Sequence, residues 1–504
     1  MRRSTYGIGL ILIGFFFVKL LRFKTLGYIF NDMYAFLQMS HSWMDGRPFM
    51  YENIWGYHHR IHNYYSVLLW GPLCRAFGAY GLFAVQATLL AVGYAAVNEH
   101  LNRRAAPAWV PYVLIGVMLC GPVSFWLNDH PNIGWHTELT YLPFALLFAL
   151  ALMGRSRLVA VMAGLAVVLV KEDGAVLAAL IHLIYEGLQF INRQPARPLW
   201  KWLSEGRFWL ILAGWVAVFL SGMAWIGYKN GFAEPRLQMA LTLLNDNVGK
   251  VAFWRQMLGQ TGRSMVLLLP VLGVLALFMR QLRSRSIGGV LLLWGAGVLT
   301  LTLLNVVQSV HYYGQKLFYL VALTWPPRFI LPWAFSAALL TLLAGLSTDK
   351  FRPLPSARVW LIGVGLFMIQ IPIIYIARPE IPSLHDWADT LRGRYARDRE
   401  VIYLQSDDLA VARCVADQLP ADANVFIFDY LVPFFHRQYG IWPTGKQYQP
   451  ADIALIPLVD KQGLRQALPM RKPYRVIRLN AYDLYVSAAY EQRVAQCVAN
   501  VGKR

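Results

Sequence analysis

The sequence predicts a mainly α-helical polytopic membrane domain of about eleven spans, followed by a small C-terminal extracytoplasmic α/β domain. Three observations predict it. Of 504 residues, 57% are hydrophobic and 15% charged, with a mean hydropathy of +0.41, unlike an ordinary soluble domain. Apolar runs near the ~20 residues of a membrane-crossing helix recur as far as Ile376. Beyond that residue they stop, and short helical and strand patterns alternate. This composition excludes disorder, a collagen-like fibre and a disulfide scaffold.

The N-terminal Met1, Arg2 and Arg3 precede an apolar stretch from Tyr6 to Leu21. It reads as an uncleaved helix, because Arg22, Phe23 and Lys24 follow where a cleavage site needs small residues. Further runs lie near 79–97, 108–127, 140–153, 158–170, 174–191, 208–228, 264–279, 287–309, 317–346 and 358–377. The run containing Pro326 and Pro327 reads as a broken helix with a re-entrant piece. Lys+Arg 47 against Asp+Glu 27 gives a net +20, which in such a chain means positive cytoplasmic loops and attraction to anionic lipid head groups. Basic residues dispersed between apolar runs, with no zinc-finger or RNA-binding signature, argue against nucleic acid. With the N-terminus cytoplasmic, alternate loops contain Arg103-Arg104, Arg155 with Arg157, Arg193 to Arg207, Arg280 to Arg285 and Lys350 to Arg358. That orientation, in a bacterial inner membrane, puts segments 22–63, 128–139, 171–173, 229–263 and 310–316 outside.

The membrane domain covers 1–377 and the periplasmic domain 378–504. In the latter, Asp407 to Leu419 has helical spacing, Ala423 to Phe428 and Ile453 to Leu458 read as buried strands, and Tyr474 to Val486 as a hairpin turning at Asn480-Ala481. It contains neither a glycine-rich phosphate loop nor a nucleophile elbow. Cys414 and Cys497 sit on expected helices in an oxidising location, so they form either a bridge or two buried thiols.

The outside segments hold the candidate chemistry. Asp32 follows the first helix by about ten residues, where a carboxylate can deprotonate a hydroxyl, coordinate a cation beside a lipid phosphate, or simply cap a helix. Lys171-Glu172-Asp173 lies between two apolar runs, where ionisable groups are costly and usually line a cavity or form a structural ion pair. Arg60, Lys171, Lys229 and Arg263 are cations on the expected outer face, each available to a phosphate or to an interfacial snorkelling role. His58, His59 and His62 lie among tyrosines and His136 lies near Glu138, which suits a cavity, a divalent-metal site at Asp32, His58 and His62, or an interfacial belt. His311 and Tyr312 suit sugar stacking or interface anchoring.

Asn31-Asp32, Gly46-Arg47-Pro48, His62, Gly71-Pro72-Leu73, Leu82, Gln86, Gly134-Trp135-His136-Thr137-Glu138 and Lys171-Glu172-Asp173 resemble a family of multispan proteins related to the glycosyltransferase-C superfamily. Leu419-Pro420-Ala421-Asp422-Ala423-Asn424-Val425 and Ala451-Asp452-Ile453-Ala454-Leu455 in the tail are similar to it too. The resemblance implies an extracytoplasmic site, a polyprenyl-phosphate-linked sugar as donor, and inverting transfer to a glycan, lipid or protein acceptor. It gives Asp32 the role of base or metal ligand, with Asp129 and Glu138 as candidates for a second acid. Lys171 and Arg60 are the expected donor-phosphate ligands, and His62, His136, Glu172, Asp173, His311 and Tyr312 the expected cavity residues. A divalent cation is the one candidate cofactor. Competing readings are a lipid-linked-sugar transporter or flippase and a non-catalytic scaffold of a cell-envelope pathway.

Overall fold

The computed structural model describes residues 32–52, 56–60, 62–104, 135–154, 156–194, 197–231, 236–266, 284–310, 318–346, 406–427, 450–458 and 470–501, with scattered residues between and before them. Helical residues at 19–23 precede helix α1 (Asp32–His41), which is followed by a hairpin of β1 (Tyr51–Glu52) and β2 (Gly56–Tyr57) and a 3-10 turn at His58–Arg60. A further 3-10 segment, Tyr65–Trp70, leads into α2 (Gly71–Phe77) and the long α3 (Ala79–Arg103). After a turn at Thr137–Thr140 come α4 (Tyr141–Met153), α5 (Arg157–Val168), α6 (Gly174–Arg193), α7 (Gly206–Lys229), α8 (Arg236–Asn247), α9 (Val251–Val266), α10 (Ser284–Val310) and α11 (Phe318–Leu346).

Among the described residues, four helices are long and apolar enough to cross a membrane: α3, α6, α7 and Ile287–Leu304 of α10. Three shorter apolar stretches, Thr137–Met153, Arg157–Val168 and Phe329–Ala344, coincide with other expected runs. Those at 108–127, 264–279 and 358–377 lie largely outside the described residues. The expected break at Pro326-Pro327 is not present, for α11 is continuous from Phe318 to Leu346. Neighbouring helices in an apolar bundle can offset the backbone bonds that proline removes.

Helix α6 illustrates why the bundle forms. Leu177, Ile181, Ile184 and Leu188 recur at helical spacing on one buried face and join the apolar core built with α3, α4, α10 and α11. Close approach needs small residues. A Cβ on Gly297 of α10 would lie 2.1 Å from the Trp333 ring of α11, and one on Gly187 of α6 would lie 2.7 Å from Leu293. Helix α7 is the exception, since none of its 24 residues is buried although almost all are apolar. At ~1.5 Å per residue it spans roughly 36 Å, more than the ~30 Å hydrocarbon core of a bilayer.

In the tail, α12 (Ser406–Gln418) and α13 (Glu491–Val501) pack together beside a sheet. Its strands are β3 (Asn424–Ile427), β4 (Gly440–Trp442), β5 (Ile453–Pro457), β6 (Tyr474–Arg478) and β7 (Tyr482–Ser487), in the order β4-β3-β5-β7-β6. Strand β3 runs parallel to β4 and β5, and β7 antiparallel to β5 and β6. The turn at Asn480-Ala481 is held by Asp408, whose carboxylate accepts from the backbone N–H of Asn480 at 3.0 Å and of Ala481 at 2.6 Å. The division expected at 377/378 lies outside the described residues. The tail does not stand apart: Leu409, Val425 and Leu484 share one apolar core with Met33, Phe36 and Leu37 of α1. Gln38 Nε2 donates to the Gln438 carbonyl at 2.8 Å across the same contact.

Of the two alternatives for Cys414 and Cys497 the structure has the bridge, which joins α12 to α13 with a Cα–Cα distance of 5.6 Å. It closes a sequence separation of 83 residues, so replacing both cysteines by serine should destabilise the tail by about 2–5 kcal/mol. Non-reducing peptide mapping should recover the linked pair, and thermal melting of the double variant should show the loss.

Candidate functional site

The turn Lys171-Glu172-Asp173 connects α5 to α6 and is fixed by the residue after it. A Cβ at Gly174 would lie 2.2 Å from the Val167 carbonyl oxygen, so only glycine lets the chain close here without displacing backbone. The three side chains then diverge. Lys171 Nζ donates to Glu138 Oε1 at 2.8 Å and lies 3.5 Å from Asp173 Oδ2. The Tyr141 hydroxyl, at the start of α4, donates to the Asp173 carboxylate. Glu172 faces the other way, accepting from His62 Nδ1 at 2.7 Å and from the Asn63 backbone N–H at 3.1 Å. Segments around 62, 138 and 172 therefore meet at the ends of apolar helices, with Lys171 and Glu138 each 2% exposed.

Charge sets the state of this cluster. One lysine faces Glu138, Glu172 and Asp173, and burial of all that charge is costly. Burial alone would lower the Lys171 pKa, but Asp173, Glu138 and Glu172 together hold it above its usual value. Asp173 is pushed up to about 6, first by burial and then by repulsion from Glu172 and Glu138, against the pull of Lys171.

The histidines share one arrangement. Nδ1 of His58 is 3.1 Å from Glu52, Nδ1 of His62 is 2.7 Å from Glu172, and Nδ1 of His136 is 3.2 Å from Glu138. An ionised carboxylate can only accept, so Nδ1 of His58 and of His62 donates, and a neutral ring there carries its lone pair on Nε2. His136 differs, since its Nδ1 accepts from the Glu138 backbone N–H at 3.4 Å while lying 3.2 Å from the Glu138 carboxylate. Phe36 of α1 forms the wall, 4.5 Å from the His136 ring and 5.0 Å from Tyr64. Such carboxylate-held imidazoles can accept a proton from a hydroxyl and stabilise the imidazolium that results.

Of the sequence candidates, His62, His136, Glu138, Lys171, Glu172 and Asp173 are brought together. Asp32 is exposed in the first turn of α1, one turn before Phe36 and on the same helix face. Arg60 is also exposed and stacks its guanidinium 4.6 Å from the Tyr57 ring centre, outside the buried cluster. His311, Tyr312 and Asp129 lie outside the described residues. The metal set Asp32, His58 and His62 is not assembled: among the described residues no three His, Cys, Asp or Glu side chains could hold an ion together. His58 and His62, with ring centres 6.0 Å apart, each turn Nδ1 to a separate glutamate.

Sequence reasoning missed Asn63, Tyr65 and Trp225. Asn63 Nδ2 donates to the Gly222 carbonyl at 2.9 Å, while Lys229 Nζ donates to Asn63 Oδ1 at 3.1 Å and to the Tyr65 hydroxyl at 2.7 Å. The available signal was a lysine ending a tryptophan- and tyrosine-rich apolar run opposite the Asn63-Tyr64-Tyr65 sequence.

Lys171→Met should leave Glu138 and Asp173 as uncompensated buried acids and destabilise by about 3–5 kcal/mol. Adding Glu138→Gln should restore part of that loss, and a double-mutant cycle of thermal melts measures the coupling. The pH dependence has a defined sign. Because the Asp173 pKa is higher folded than unfolded, its contribution is full at pH below the ordinary carboxylate range and is lost as pH rises through about 6. The melting temperature should therefore rise between pH 7 and pH 5, and Asp173→Asn should flatten that rise.

No family model matches the chain, and no curated protein or solved structure is similar to it.

Proposed function

We propose that this protein is a membrane glycosyltransferase of the glycosyltransferase-C type, moving a sugar from a polyprenyl-phosphate donor to an extracytoplasmic glycan, lipid or protein acceptor. The observation that carries the reading is the meeting of His62–Glu172 with Lys171, Glu138 and Asp173 at the ends of apolar helices, from three segments far apart in sequence. Ionisable groups gathered at such a place are characteristic of a reaction or transport site. In this reading the protein has about eleven spans, an inner-membrane location with a cytoplasmic N-terminus, and a periplasmic tail domain over α1.

The chemistry is a displacement at the anomeric carbon. The acceptor hydroxyl loses its proton, its oxygen forms the new bond to that carbon, the bond to the phosphate oxygen breaks, and polyprenyl phosphate leaves. Asp32 is the base or the ligand of a divalent cation, being the exposed carboxylate on the Phe36 face of α1. The Lys171, Glu138 and Asp173 network holds the floor, and His62, oriented by Glu172, is a second proton acceptor.

A lipid-linked-sugar transporter is the second reading. Asp173, buried and titrating near 6, favours it because such a group can change charge in the physiological range.

The test is release of polyprenyl phosphate from a panel of lipid-linked sugars by purified protein, with cell envelope as acceptor source. Wild type should release it from one donor, and Asp32→Asn should lower the rate roughly 10²–10⁴-fold with unchanged melting. Equal rates would remove Asp32 from the chemistry. Sugar translocation in proteoliposomes without release would instead favour transport.

A further inference from the structure

A phosphate needs a positive charge that the protein has not already neutralised, and Lys171, an expected ligand, differs from Lys229 in this respect. Lys171 is enclosed, with Glu138 at 2.8 Å and Asp173 at 3.5 Å. Lys229, the last residue of α7, is half-buried and touches only neutral acceptors, Asn63 Oδ1 and the Tyr65 hydroxyl. Among the described residues no carboxylate lies within ion-pair distance of it. Its ammonium sits 5.0 Å from the Tyr65 ring centre and 5.5 Å from that of Trp225, so it is braced by aromatic faces.

Other cations add to the field. The 3-10 turn bearing His59 and Arg60 packs against α7. Burial first, and then the charges of Lys229 and Arg60, keep His59 below its ordinary pKa, so Arg60 is the second cation here. Below Lys229 the α7 surface is bare and apolar, and Trp225 stacks on Tyr228 with ring centres 5.7 Å apart. An apolar helix face ending in tyrosine, tryptophan and lysine has the order of a lipid's own parts: chain, glycerol or isoprenoid head, and phosphate.

We infer that the end of α7 is a docking site for a phosphate-bearing membrane lipid, with Lys229 as the principal phosphate ligand, Arg60 assisting, and the lipid chain lying along the exposed α7 face. This rests on the proposed transferase reading for the identity of the lipid, a polyprenyl phosphate. Lys229 is joined through Asn63 to Glu172 and His62, so a phosphate held there is placed beside the carboxylate-held imidazole without entering the acidic cluster.

The experiment is binding of a polyprenyl monophosphate to the full-length protein in nanodiscs of neutral lipid, with Lys229→Met and Lys229→Arg as variants and the release assay run in parallel. Loss of one charge-assisted contact should weaken binding roughly tenfold to a hundredfold in Lys229→Met, with Lys229→Arg retaining most of it and both melting like wild type. The uncharged polyprenol should bind all three proteins equally, and inorganic phosphate should not compete. Unchanged affinity in Lys229→Met, or displacement by inorganic phosphate at equal concentration, would overturn the site, and displacement by phosphatidylglycerol at equal concentration would overturn polyprenyl phosphate as its occupant. The two readings fail separately. Lys229-dependent binding with no release from any donor keeps the site and removes the transferase, whereas release with Lys229-independent binding does the reverse.

Discussion

The Lys171–Glu138 ion pair is the constraint on which the rest of the region depends. An ammonium at 2% exposure has left water almost completely, at a cost of several kcal/mol that only close, well-oriented acceptors can offset. Glu138 supplies the first and Asp173 the second, and that requirement ties the turn before α4 to the turn before α6. Because Lys171, Glu172 and Asp173 are consecutive, fixing the outer two also aims the middle one. Glu172 is thereby presented to His62 and Asn63, and the first loop is recruited by a residue that makes no contact with Lys171 in the pair itself.

Helix α1 connects this polar region to the tail. Its Phe36 packs on His136, Trp135 and Tyr64, while Gln38, half a turn further, bonds to Gln438 of the tail. A ten-residue helix with nine buried residues has no solvent face left to absorb a shift. Any displacement of the tail is therefore transmitted to the wall of the histidine cluster and to Asp32 in the first turn of the same helix. The Cys414–Cys497 bridge, which ties α12 to α13, stiffens the body that rests on α1.

Much of this was legible in the sequence, and what was not has physical reasons. The tail strands and the hairpin turn follow from alternation and from Asn480-Ala481, which are local signals. Lys171-Glu172-Asp173 stood out because three charges between apolar runs are expensive anywhere but in a network. The partners could not be read, since His62 and Glu172 are 110 residues apart and nothing local specifies a pairing over that distance. For the same reason Lys171 and Arg60 looked equivalent as cations, although one is enclosed by acids and the other lies exposed on Tyr57. Hydropathy likewise could not separate α6, packed on its apolar face, from α7, which buries no residue, because both are simply long and apolar.

The division of charge between the two neighbouring regions explains why both are needed. Glu138, Glu172 and Asp173 outnumber Lys171, so the buried cluster carries excess negative charge and would repel a phosphate. Lys229 and Arg60 lie on the other side of Asn63, where the charge is of opposite sign, and among the described residues no carboxylate is within ion-pair distance of Lys229. Asn63 is a neutral spacer that bonds to both, through its side chain to Lys229 and its backbone to Glu172. In the proposed reading an anion is held at the boundary, and a group attached to it projects toward carboxylates and imidazoles that can accept a proton. A chain that placed its free cation inside the acidic cluster would lose this polarity, because each charge would be consumed by the other, as happens to Lys171.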